Sequence, residues 1–241
     1  MSEKKQRLLN IERNKFISVF SHDLKDPVSA IKGFSELLMT KYETLDNTKI
    51  QLYLNRINIS VKDAISQINN LVDWTKAQSG EINVRNQKIK LEQLMNEVLD
   101  FYSEQASEKQ IILHAEIEKN IMVNADYEMM RTVIYHLVSN AIKYTYEGGR
   151  VDITADSDKD NVIILVKDTG IGIPSKSLPK IFDIEHKLIR RGTQNETGTG
   201  LGLIISNEFI HLNKGEIILE SDERQGTIAK IILPSVSSSH L

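Results

Sequence analysis

Apolar residues recur every three or four positions through the first third of the chain, and almost nothing interrupts them: Pro27 and Gly33 are the only proline and glycine before Gly80. From Ile50 the series Leu54, Ile57, Val61, Ala64, Ile68 and Leu71 advances by alternating steps of four and three, the a/d spacing of a helical seam that faces other helices. Upstream, Leu9, Phe16, Phe20, Leu24, Val28, Ile31 and Leu38 supply the facing apolar positions. The pattern predicts two long helices joined by a polar turn within Glu43 to Asn47. A hairpin that buries one stripe per helix has too small a core, so a second copy is expected to complete a four-helix bundle and make the chain a homodimer.

Beyond Ser79-Gly80 the periods of two and 3.6 alternate. Helices are predicted at 91–109, 127–144 and 200–212, and strands at 111–117, 151–155, 162–167, 216–220 and 227–233, with Ser221 to Gly226 as the last turn. The expected fold class is therefore α + α/β: an antiparallel helical hairpin, then an α/β sandwich with a mixed sheet covered by helices on one face. The expected boundaries are 1–80 for the hairpin, 81–90 for a linker and first strand, 91–234 for the mixed domain and 235–241 for a frayed tail.

Composition narrows the field by exclusion. An apolar fraction of 40% is that of an ordinary globular chain. A net charge of -3 and a pI near 6.1 leave no basic footprint for a nucleic-acid backbone, so no nucleic-acid partner is expected. Cysteine is absent, which removes disulfides and thiolate metal sites and makes a reducing, cytoplasmic setting the simplest reading. No apolar run approaches the ~20 residues that span a bilayer, so no direct membrane contact is expected. The abrupt charged start at Met1-Ser2-Glu3-Lys4-Lys5 is compatible with the cytosolic part of a longer, membrane-anchored protein.

Chemistry enters with the order of four motifs. On the helix from Tyr127, Asn140, Lys143 and Tyr144 gather toward one edge; an amide oxygen suits Mg²⁺ and a lysine suits phosphate. Asp168 ends an apolar strand and is followed by Gly170 and Gly172, a carboxylate at a cleft floor that can accept from adenine's amine, with backbone free to approach a ligand. Gly198-Thr199-Gly200-Leu201-Gly202 opens a helix whose N–H groups and dipole suit phosphate oxygens. The stretch 169–197 is long for a structureless loop and carries Lys187, Arg190 and Arg191, a mobile lid whose cations are placed to steady a γ-phosphate. Each motif singly has an ordinary reading as a solvated helix end, an Asx turn, a glycine cluster or a basic loop. Ahead of all of them stands His22-Asp23-Leu-Lys-Asp26-Pro27 on the first helix. Neutral imidazole can attack phosphorus, a neighbouring carboxylate can orient the ring, and Pro27 removes the hydrogen bond to the Asp23 carbonyl and should bend the helix there. An acceptor followed by a donor pocket points to phosphoryl transfer.

At these residues the chain, from about Lys15 to Leu233, resembles the catalytic core of a bacterial sensor histidine kinase. The resemblance implies a dimerisation and histidine-phosphotransfer domain with His22 as phosphoacceptor and Asp23 as its acidic partner. It implies an ATP-binding domain of the Bergerat type shared with gyrase, heat-shock chaperone and mismatch-repair ATPases, with ATP and Mg²⁺ as cofactors. Asn140 would be the magnesium ligand, Lys143 a phosphate contact, Asp168 the adenine reader, and Gly198, Gly200 and Gly202 the hinge glycines. The phosphoryl group would pass to the receiver domain of a separate response regulator. Three departures are visible: His136 stands where many relatives have a second asparagine, Asp26 stands where Thr or Asn often serves phosphatase activity, and the aromatic segment before the lid is reduced to Phe182 with Glu185 beyond it. Two other readings compete, an ATPase switch with the hairpin as coupling arm and a dimeric scaffold that binds nucleotide without turnover.

Overall fold

The computed structural model describes residues 3–78, 84–186, 188–196, 198 and 200–235, with the side chains of 3–19, 22, 23, 73, 74 and 76–78 outside that description. The chain divides into two units, Met1–Ser79 and Gly80–Leu241.

In the first unit α1 (Glu3–Lys41) and α2 (Asn47–Gln78) pack against each other. A single 3₁₀ turn, Tyr42–Thr44, makes the predicted connection. Asp46 starts α2 by accepting the Lys49 N–H at 2.8 Å, as a short polar side chain at a helix entrance should. The helix α1 continues through Pro27. Phe20 and Ala64 are buried and Phe34 meets Tyr53 at 5.5 Å between ring centroids. One hairpin does not cover its own seam: Leu54 and Ile68 are 48% and 47% exposed, and Val28, Met39, Leu52, Ile65 and Val72 are exposed with them. Such a run of apolar surface on one helix pair is of the kind that marks an interaction face.

The second unit runs β1 (Asn86–Lys90), α3 (Leu91–Glu108), β2 (Ile112–Ile117), β3 (Met122–Asp126), α4 (Tyr127–Tyr144), β4 (Arg150–Ser157), β5 (Asn161–Asp168), α5 (Gly202–Leu212), β6 (Glu216–Asp222) and β7 (Gly226–Pro234). Five strands form a mixed sheet in the order β2-β4-β5-β7-β6, parallel only between β2 and β4. Alternate residues Val151, Ile153, Val162, Ile164, Val166, Ala229, Ile231 and Leu233 are buried, the period of two that one covered face imposes. Against them lie Met130, Val133, Ile134, Leu137, Val138 and Ala141 of α4, with Ile205, Phe209 and Ile210 of α5, all buried. The Asp126 carboxylate caps α4 by accepting the Met129 N–H at 3.2 Å.

Two elements depart from the sequence pattern. A short strand, β3, pairs with β1 in a separate two-stranded sheet; five residues leading straight into a helix carry too little alternation to reveal it. And α5 begins at Gly202 rather than Gly200, because Gly200 takes φ +70, a left-handed conformation that an α-helix cannot include.

Ile153 is fully buried on β4. Ile153→Ala is expected to destabilise the protein by about 2–5 kcal/mol, read from the denaturant midpoint of the circular dichroism transition.

Candidate nucleotide site

His136, Asn140 and Lys143 share one stripe of α4 by their spacing of four and three, and the glycine-rich stretch crosses that stripe. A Cβ added to Gly202 would lie 3.4 Å from His136 Cγ, and one added to Gly198 would strike the Lys143 ammonium. Asn140, half-buried, lies between them along the helix. Lys143 is itself buried, its ammonium 4.8 Å from the centroid of the Tyr144 ring, a cation–π contact. His136 packs between α4 and the first turn of α5, Nδ1 3.4 Å from Ser206 Oγ. Enclosure there pushes its imidazole down to about 4, against a backbone hydrogen bond at Gly202 that raises it, so the ring is neutral at neutral pH.

Tyr144 joins the helix end to two loops. Its carbonyl accepts the Ile171 N–H at 3.0 Å, and its hydroxyl donates to the Arg190 carbonyl at 3.2 Å. Burial raises its phenol above the ordinary value. Through Ile171 the Asp168-Thr169-Gly170-Ile171-Gly172 turn is held against α4, and a Cβ on Gly170 would collide with the same Tyr144 carbonyl.

Asp168 is 7% exposed at the end of β5. Its Oδ1 accepts the N–H of Gly170 at 2.8 Å and of Thr227 at 3.2 Å. Both bonds use Oδ1, which leaves Oδ2 for an incoming donor. Burial pushes the carboxyl up to about 6, against those two N–H groups that lower it. A carboxylate so placed can accept from an amine and is masked from water until one arrives.

Behind Asp168 stands the predicted β6–β7 hairpin, whose contact with Asp168 the sequence did not reveal. Gly226 sits at φ +90 with its α-carbon on the Asp168 carbonyl, so a Cβ there would collide with it. Thr227 supplies the second N–H to Asp168. Ser221 Oγ donates to the Gly226 carbonyl at 2.7 Å and accepts the Ile173 N–H at 2.8 Å, while Arg224 N–H donates to the Ile171 carbonyl at 2.8 Å. The sequence signal, Gly226-Thr227 at a turn, was present but reads as an ordinary hairpin.

The expected lid contains two short 3₁₀ turns, Leu178–Lys180 and Ile184–His186, and its C-terminal part is fastened. Thr193 N–H donates to the Lys143 carbonyl at 3.1 Å. Arg190 turns its guanidinium to the Gly172 carbonyl at 3.2 Å, so it braces the loop beside Asp168, and Arg191 is exposed. Leu201 is fully buried, and its carbonyl accepts the Ile205 N–H at 3.0 Å. Lys187, Thr199 and the side chains of His22 and Asp23 lie outside the described residues.

Comparison with known proteins matches these features to two families. Residues 12–80 match the His Kinase A (phospho-acceptor) domain, and residues 125–237 match the histidine kinase-, DNA gyrase B-, and HSP90-like ATPase family. The cell-division control histidine kinase PdhS of Brucella abortus is 28% identical over 234 residues, covering 92% of this chain and 23% of PdhS. A sensor-like histidine kinase of Rhizobium meliloti is 29% identical over 231 residues, covering 95% of this chain and 44% of that protein. The chain thus spans less than half the length of these curated relatives. Among solved structures, histidine kinase ThkA in complex with response regulator protein TrrA is similar with a TM-score of 0.74 at 22% identity, over 99% of this chain and 66% of that one. Acinetobacter baumannii histidine kinase AdeS gives 0.69 at 18% identity, over 89% and 98%. Among the described residues no helix is long and apolar enough to cross a membrane.

Gly226→Ala is expected to push Asp168 out of place and weaken ATP binding by about tenfold or more, measured by titration calorimetry. An amine needs the ionised carboxylate, so ATP affinity is expected to fall as pH drops through about 6, by up to about tenfold per pH unit; an Asp168→Asn variant should lose that slope. Folding stability has the opposite sign. The native carboxyl holds its proton above the ordinary value of 3.8, so its contribution is fully present below 3.8 and is lost as pH rises through about 6.

Proposed function

Because the chain belongs to the histidine kinases, joining a phosphoacceptor domain to an ATPase domain, we propose that it phosphorylates its own His22 from ATP and passes the phosphoryl group to an aspartate of a separate response regulator. The observation that carries this reading is the tandem itself: the match over 12–80 contains His22, and the match over 125–237 contains Asn140, Asp168 and the glycine run. Neither an ATPase switch with a coupling arm nor a nucleotide-binding scaffold needs a phosphoacceptor domain ahead of the pocket.

In this reading the adenine amine bonds Asp168 Oδ2, and the glycine-rich backbone and Lys143 contact phosphate. A neutral His22 nitrogen forms a bond to the γ-phosphorus as the bond from that phosphorus to the β–γ bridging oxygen breaks and ADP leaves. Asp23 orients the ring and takes up its other proton. Mg²⁺, when bound, supplies charge neutralisation across the phosphates. Asn140 is the side chain proposed to hold it, the remaining oxygens coming from phosphate and water, the hard ligands Mg²⁺ takes. The exposed apolar residues Leu54, Ile65, Ile68 and Val72 of α2 support pairing with a second copy into a four-helix bundle. ThkA, a structural neighbour, is a histidine kinase solved with a response regulator, and a receiver domain is the partner proposed here. We place the activity in the cytoplasm, with this chain as the cytosolic part of a larger sensor.

Incubation with γ-labelled ATP and Mg²⁺ is expected to leave label on the protein that survives alkali and is lost in acid. His22→Gln should abolish that label while ATP binding persists, and Asn140→Ala should abolish both. Label at an unchanged rate in His22→Gln would overturn the assignment, and turnover without any protein-bound label would favour the ATPase switch.

A further inference from the structure

Lys109 is a buried lysine, 3% exposed, that no part of the proposed chemistry uses. It follows α3, and its ammonium is aimed at the last turn of α4. Nζ donates to the carbonyls of Ile142 and Lys143, each at 2.9 Å, and to Glu196 Oε1 at 2.7 Å. Three acceptors match the three donors of an ammonium group, so the charge is fully satisfied where water does not reach it.

Glu196 belongs to a turn that is bonded at every residue. Gly192 N–H donates to the Glu196 carbonyl at 2.9 Å and Asn195 N–H to the Gly192 carbonyl at 3.0 Å. Gln194 N–H donates to Glu196 Oε2 at 2.7 Å. Thr193 donates its N–H to the Lys143 carbonyl at 3.1 Å and its hydroxyl to the Thr145 carbonyl at 2.7 Å. A Cβ at Gly192 would strike the Glu196 carboxylate, and Asn195 adopts φ +65, a conformation asparagine tolerates. Burial raises the Glu196 carboxyl, but the bonds from Lys109 and the Gln194 N–H outweigh it and hold the group below the usual range.

We infer that Lys109 and Glu196 form an internal anchor that fixes the 192–196 turn on the end of α4 and thereby sets where the chain enters the phosphate-contacting glycine run. Glu196 stands two residues before Gly198, whose α-carbon meets Lys143. Both are positioning residues: neither touches the ligand, and they act through the backbone that does. A buried ion pair is a poor source of net stability, and its best-attested use is to select one register over others. The inference rests on the ATP-binding reading and adds that phosphate recognition, not adenine recognition, depends on this pair.

The test uses the full chain with Glu196→Gln, which keeps the shape of a partly exposed side chain, and Lys109→Met beside it. ATP and adenosine are each titrated against a fluorescent ATP analogue, and amide hydrogen exchange is followed without nucleotide. In Glu196→Gln, ATP affinity should fall about tenfold while adenosine affinity changes less than twofold. The amides of Gly192 to Asn195 should lose protection while those of β4 and β5 keep it. Unchanged protection at 192–195, or equal losses for ATP and adenosine, would overturn the anchor. Failure of the unaltered chain to bind ATP would instead overturn the functional reading, and the exchange data would still decide whether the anchor exists.

Discussion

A helix leaves its last carbonyls without intrahelical partners, and at the end of α4 each of them is taken by a donor from elsewhere or from its own last turn. Ala141 accepts from Thr145, Ile142 from Lys109, Lys143 from Lys109 and Thr193, and Tyr144 from Ile171. Those donors come from the α3 connection, the turn before the glycine run and the loop after Asp168. One helix end therefore fixes three loops in a common frame. Had water satisfied these carbonyls, the loops would have no shared reference and the polar residues they carry would not converge.

The same frame explains why a carboxylate can be stored in so apolar a place. Asp168 is masked by the sheet and by the β6–β7 hairpin, and its raised pKa is the cost of that masking. Among the described residues two N–H groups reach it, from Gly170 and Thr227, both on Oδ1. More donors would hold the charge more firmly and would also occupy the oxygen a ligand needs. Glycine at 226 is dictated by the same crowding, since any side chain there meets the Asp168 carbonyl.

Two residues of the site region acquire physical content. His136, neutral and enclosed, joins α4 to the first turn of α5 through Ser206. Arg190 spends its guanidinium on the Gly172 carbonyl and its own carbonyl on Tyr144, so it stiffens the surroundings of Asp168. Both residues still serve the site, by holding its walls. The helical hairpin shows the reverse economy, leaving Leu54 and Ile68 of its seam exposed.

By itself the sequence determined the helical hairpin, the span of α4 from Tyr127 to Tyr144 and the strand ending in Asp168, because a period of 3.6 or two is a local property that burial of one face imposes residue by residue. It also determined the order of the two matched domains' motifs, since His22, Asn140, Asp168 and Gly198 are read directly along the chain. Only the tertiary structure decided which groups complete the site. Lys109 and Glu196 meet across 87 residues, Asp168 and Thr227 across 59, and Lys143 and Thr193 across 50. Nothing in the neighbourhood of Lys109 marks it as buried, and nothing near Thr227 marks its N–H as reserved for a carboxylate. Such bonds depend on which unsatisfied backbone groups the packed sheet and helices bring within reach, and that is set by the fold as a whole.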